Sequence, residues 1–268
     1  MSLLFKCKDV ELLNEERLSE SSVPSVLHLV FVKCYINSLE RGEQDLKKYI
    51  AEFSKYSSER LMAAFKCDKV KDLLDEAYSY TRSVVESLRN IGMSVIVLRG
   101  ELTTRLVIHT RTPQMPLEVG LAWDPYINLP YIPATALKGI VRDYFETHDV
   151  KIGSHDYNEL FGSRQSEGLL IFFDSYPVAC RSELIHPEVM TPHYREVEGN
   201  ISEVEVRPTP IVYPTVAPGT IFHIPLAIRK ELKSEEINPL INNVIKALEG
   251  GVGAKTSIGY GYMRVSRL

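Results

Sequence analysis

EINPLINNVIKALEGGVGAKTSIGYGYMRVSRL, residues 236–268, reads as a helix, a glycine-rich turn and a closing strand. Ile237, Leu240, Ile241, Val244, Ile245 and Leu248 recur at three- and four-residue steps, which puts them on one face of a helix from Glu236 to Glu249. Gly250-Gly251 ends it, since glycine accepts the left-handed conformation that closes many helices. GYGYMRVSRL supplies the strand. Just upstream, TIFHIPLAIRK (220–230) is a second strand, so this half is strand, helix, strand.

The same order occurs earlier in the chain. MSVIVLRGELTTRLVIHT (93–110) is rich in β-branched residues and alternates at Leu102, Thr104, Leu106 and Ile108. Prolines 113, 116, 125, 130 and 133 then enforce a long loop. A helix is expected from Thr135, whose hydroxyl can cap it, with Leu137, Ile140, Val141, Tyr144 and Phe145 on one face. GLLIFFDSY (168–176) reads as a buried central strand. Between the halves, Pro177 to Pro218 holds seven prolines and no helical period, an irregular insert able to project as a partly paired hairpin.

Two such halves predict an α+β protein with a ferredoxin-like (RRM-like) βαββαβ core. Both helices would lie on one sheet face, leaving the other open for a ligand. The expected division is a helical N-terminal extension over residues 1–93 and the ferredoxin-like domain over 94–268, with the insert at about 177–218. In the extension, Leu73, Ala77, Tyr80, Val84 and Leu88 form an apolar helical stripe.

Composition narrows the class. The 268 residues carry a formal net charge of −4, which argues against a freestanding nucleic-acid binder, so any RNA contact must come from a local patch or from partners. No apolar run approaches the ~18 residues of a spanning helix, and the acidic start lacks a secretory signal. A cytoplasmic protein without membrane contact is expected. Cys7, Cys34, Cys67 and Cys180 stand at wide, irregular spacing that suggests neither zinc nor a redox pair, and are expected reduced and buried. Neither a metal nor a cofactor is expected.

Two motifs carry chemistry. In YIPATALKG (131–139) a proline leads into a helix start, where free amides and the helix dipole favour a phosphate, and Lys138 and Arg142 extend the site on one face. A solvated basic face is the alternative. In GGVGAKTSIGYGY (250–262), Gly251, Gly253, Gly259 and Gly261 allow close backbone approach to a phosphodiester, with Lys255, Thr256 and Ser257 beside them. Mere connectivity is the alternative there. It is not a Walker loop, because helix precedes loop.

Together these motifs resemble the RAMP superfamily, the repeat-associated RNA-binding proteins of CRISPR systems. WDPYINLPYIPATALKG, LFGSRQSEGLLIFFDSYP, VMTPHY and GVGAKTSIGYG are similar to its terminal backbone subunits in type III-B (Cmr) effector complexes. The resemblance covers about residues 95–268. It implies a structural subunit stacked on other RAMP subunits, holding guide RNA near its 3′ end and flanking the guide–target duplex. The family's RNA-contacting helix start falls on Thr135, Lys138 and Arg142, and its glycine loop on Gly251 to Gly261. The insert matches a region where relatives project a thumb, making Met190, His193 and Tyr194 candidates to wedge or stack on a base. Packing of the insert on the core is the alternative.

In slicing RAMP relatives an aspartate in the loop before the first helix promotes ribose 2′-oxygen attack on the adjacent phosphate, and Asp124 stands there. Asp-Pro is also an ordinary turn starter, and terminal subunits are expected not to cut. The expectation is therefore a non-catalytic subunit. The alternatives are a target-cutting RAMP using Asp124, or a guide-processing endoribonuclease using a histidine base.

Overall fold

The computed structural model describes residues 7–42, 45–191, 195–197, 200–202, 210–229 and 232–268. A short 3-10 turn (Lys8–Leu12) precedes α1 (Glu15–Glu20), α2 (Val23–Glu40), α3 (Leu46–Ala64) and α4 (Lys71–Asn90). Strand β1 (Ser94–Leu102) leads to a small hairpin, β2 (Trp123–Asp124) with β3 (Leu129–Pro130). Then come α5 (Ala134–Thr147), α6 (Tyr157–Phe161), β4 (Leu170–Phe172) and β5 (Tyr176–Ala179). The insert holds β6 (Ile185–Met190), β7 (Arg195–Val197), β8 (Asn200–Ser202) and β9 (Ile211–Val216). The chain closes with β10 (Ile221–Ile228), α7 (Ser234–Glu249) and β11 (Met263–Arg267).

This is a mixed α+β protein with antiparallel sheets. The main sheet runs β11-β1-β10-β4, and β5 also pairs with β10, with a bulge at Ile221/Phe222 within that pairing. Strands β1 and β10 are central and pair over Ser94↔Ile228 to Glu101↔Ile221. Residues 168–176, expected as a central strand, instead give the three-residue edge strand β4 and the start of β5, because β10 is the strand long enough to flank β1. Ile96 and Leu98 of β1 and Ile224 and Leu226 of β10 are buried on one face. Helices α5 and α7 pack against each other and the sheet. They bury Leu137, Val141 and Phe145 from α5, and Leu240, Ile241, Val244 and Leu248 from α7.

The opposite sheet face is not open. Helix α4 lies across β1, β5 and β10, and Tyr78 meets the His223 ring edge-on at 5.6 Å. Burial, and then the Arg99 guanidinium, pull the His223 imidazole below its usual range. The buried stripe of α4 is Leu74, Ala77, Thr81 and Val85, one residue over from the expected one, with Tyr80 half exposed. Aromatic side chains tolerate an edge position because one end stays apolar and the other wet.

The insert is less irregular than its prolines suggested. Strands β6 and β9 pair from Ile185↔Val216 to Met190↔Ile211 and pack on α3, burying Ile185, Tyr213 and Val216. Pro187 and Pro214 face one another in this two-stranded ribbon, where missing donors cost little.

The cysteines are not reduced. Cys7 pairs with Cys34 and Cys67 with Cys180, at Cα separations of 5.4 and 5.8 Å. Tertiary contacts that spacing cannot show create the second pair: the Cys67 amide donates to the Ser182 carbonyl at 2.9 Å, beside a bridge between Lys66 and Glu183. That disulfide ties the α3–α4 turn to the end of β5.

A second tie is polar. Asn128, left-handed at φ 58 and buried, accepts from Trp123 Nε1 (3.1 Å) and the Val23 amide (2.9 Å) and donates to the Leu18 carbonyl (2.9 Å). One side chain thus fastens α1 and α2 to the β2–β3 hairpin. Asn128→Ala would orphan three buried groups and place alanine at positive φ. It is expected to cost about 3 kcal/mol, read as a lowered urea midpoint with unchanged slope.

Candidate nucleic-acid interface

Helix α5 separates two open clefts, and its first turn touches both. Its N-cap is Pro133, not Thr135, because proline's fixed φ of −60° already sets the extended entry. The first helical amide, Ala134, donates to Asp174 Oδ1 at 2.7 Å, so a carboxylate of this chain takes part of the dipole that was expected to serve a phosphate.

The larger cleft, about 870 Å³, runs along the Lys138 side of α5. Among the described residues lining it are Lys138, Arg142, Arg164 and Arg229, against one carboxylate, Glu167, paired with Arg229. Arg142 is committed to the protein, donating to the Gly162 carbonyl (3.3 Å) and Asn158 Oδ1 (3.4 Å) and lying over the Tyr157 ring. Lys138 and the exposed Arg164 face the cleft. Gly162 and Gly168 let the 162–168 loop close on itself: a Cβ on Gly162, at φ +88, would stand 2.8 Å from the Gly168 nitrogen. That crossing presents Arg164.

The smaller cleft, about 610 Å³, lies on the other side of α5. It joins Thr135, Ala136, Gly139 and Ile140 to His109, Thr110 and Arg111 and to Gly253 and Ala254 of the glycine loop. The two sequence motifs therefore meet, through Thr135 and Gly253, while Lys138 and Arg142 face away into the larger cleft. Gly139 is notable: it sits mid-helix, where glycine costs roughly 0.5–1 kcal/mol against alanine. A Cβ there would find nothing of this chain within 4 Å.

The glycines of the loop divide by role. A Cβ on Gly253 would lie 2.4 Å from the Val107 carbonyl, and one on Gly261 would lie 1.8 Å from that of Val252. One on Gly251 would meet Thr256 at 2.9 Å. Gly251 and Gly261 let the loop close on itself and Gly253 lets it pack on residues 106–107, sealed by Ala254 N–H to the Val107 carbonyl (2.7 Å) and Gly261 N–H to that of Arg105 (2.8 Å). Only Gly259 has open space, at φ +95, and with Ser257 and Ile258 it forms the exposed tip. Thr256 is half-buried. Lys255 turns inward: Nζ donates to Tyr213 Oη (3.1 Å), sits 2.9 Å from Met190 Sδ and lies over the Tyr213 ring. Lys255 and Met190 thus pin the glycine loop to the insert hairpin. His193 and Tyr194 lie outside the described residues.

Asp124 holds a turn. Oδ1 accepts from the Tyr126 (2.8 Å) and Ile127 (3.0 Å) amides, and Oδ2 accepts from Tyr176 Oη at 2.7 Å. Burial, then that bond, push the Tyr176 phenol up. Among the described residues no acidic, histidine or cysteine cluster could hold a metal ion, and no helix is long and apolar enough to cross a membrane.

Sequence reasoning missed Arg164, Arg229, His109 and Arg111 as cleft residues. The glycine pair at 162 and 168 was a usable signal for a tight, presenting loop; the remainder arrive through tertiary packing alone.

The family model for the RAMP superfamily matches residues 101–264. The CRISPR system CMR subunit Cmr6 of Saccharolobus solfataricus is 30% identical over 231 residues, covering 84% of this chain and 75% of that protein. The Cmr6 subunit of Pyrococcus furiosus is 32% identical over 111 residues, 38% of this chain and 32% of that protein. A chain in the cryo-EM structure of the type III-B Cmr-beta bound to cognate target RNA superposes over 99% of this chain and 98% of its own length. Its TM-score is 0.75, at 25% identity.

Proposed function

The chain belongs to the RAMP superfamily and is a homologue of the Cmr6 proteins, and from that premise we propose that it is an RNA-binding structural subunit of a type III-B CRISPR effector complex. In this reading it holds guide RNA near the 3′ end and flanks the guide–target duplex, with other RAMP subunits as neighbours. The observation that carries it is the pair of clefts flanking α5. Phosphates run along the Lys138–Arg164 side, and a backbone passes closely over Gly139 and Ala254 on the other, with the exposed 257–259 tip farther along the glycine loop. A cationic cleft on an acidic chain suits RNA held jointly with other subunits.

The strand order β11-β1-β10-β4, with α5 and α7 as the intervening helices, supports a ferredoxin-like core over residues 94–268. The described part of residues 1–93, chiefly α1 to α4, acts as a helical extension clamped to it. The RNA-facing residues in this proposal are Thr135, Lys138, Ser257 and Gly259. Arg142, Gly251, Gly253, Lys255, Thr256 and Gly261 shape the surface from within.

The subunit is read as non-catalytic, because Asp124 Oδ1 is spent on two turn amides and Oδ2 on the Tyr176 phenol. Asp124→Asn keeps an acceptor for the two amides and removes the charge a general base needs. Target RNA cutting by the reconstituted complex is expected to keep its wild-type rate and ladder. Loss of one cleavage position, with assembly intact, would make Asp124 catalytic.

A further inference from the structure

Helix α2 buries Val26, Leu27, Val30, Cys34 and Ser38 against the chain and presents a second apolar face outward. Leu29, Val32, Ile36 and Leu39 are 40, 51, 50 and 42% exposed. Their spacing is three, four, three: the seam of a helix that pairs with another helix through interlocking side chains. A helix apolar all round belongs inside something larger.

We propose that this stripe docks a helix of a different protein subunit of the same assembly, one carrying apolar residues at the same alternating three- and four-residue steps. The proposal rests on the chain being a complex subunit. Nucleic acid does not fit, since the only charged residues of α2 are Lys33, held by Asp9 at 3.1 Å, and Glu40. A second copy does not fit on area. Four half-exposed side chains offer on the order of 300 Å², against the ~800 Å² per partner of a stable pair of free chains. Such a seam holds only where other contacts of an assembly already bring the two subunits together.

The test uses the type III-B complex reconstituted from co-expressed subunits with guide RNA. Val32→Glu combined with Ile36→Glu should lower incorporation at least tenfold, while the isolated chain keeps its melting curve and RNA affinity. A photo-reactive benzoyl-phenylalanine at Ile36 should crosslink to a helix of one other subunit. Equal incorporation of the double variant, or crosslinks to RNA or to a second copy, would overturn the docking. A wild-type chain that stays out of the complex would overturn the proposed function, and the docking with it.

Discussion

Gly261→Ala is expected to destabilise the protein by about 4 kcal/mol, among the largest effects for a single methyl group. The new Cβ would stand 1.8 Å from the Val252 carbonyl oxygen, at φ 73. Relief requires moving a backbone segment that donates to Arg105 and accepts from Val252. Gly259→Ala is the control: it shares the positive φ but meets nothing within 4 Å, so only the left-handed cost of about 1 kcal/mol remains. The shifts in denaturant midpoint of the two variants should therefore differ about fourfold. Equal shifts would mean that the loop does not close on itself through Gly261.

Reversing Lys138 and Arg164 together should weaken RNA binding by about 100-fold near physiological salt, and flatten the slope of log affinity against log salt by about two. Lys138 and Arg164 both line the larger cleft, and Arg164 is exposed, so the fold should tolerate the change. The loss should be uniform across guide sequences, since phosphates carry no sequence. Lys255→Ala makes the contrast: its ammonium already serves Tyr213, so the variant should loosen the insert hairpin and leave the salt slope alone.

Periodicity made the two sheet-packing helices and the glycine turn after the second readable, because burial of one face imposes a regular spacing on local sequence, but it put residues 168–176 at the centre of a sheet in which they lie at the edge. The same logic misplaced the α4 stripe by one residue, since Tyr80 keeps an apolar edge without being buried. Local pattern could not show that α4 covers the second sheet face, that Cys67 reaches Cys180, or that β6 pairs with β9 across proline-rich sequence. Each of these is a contact between distant segments. The site was legible as two motifs but not as two clefts, because which side of α5 a cation faces depends on where the 162–168 loop and the end of β10 arrive. Lys255 shows the limit most clearly: a lysine in a glycine loop reads as a phosphate ligand, and here its charge is spent on an aromatic ring and a phenol.

The decisive measurement is photo-crosslinking of 4-thiouridine-substituted guide and target RNA in the reconstituted complex, with the crosslinked peptides identified by mass spectrometry. Crosslinks to this chain should fall within residues 133–140, 162–168 and 253–259, on the two sides of α5. Crosslinks confined to other surfaces of the chain, or none to it in an intact and target-bound complex, would contradict an RNA-holding role for these clefts.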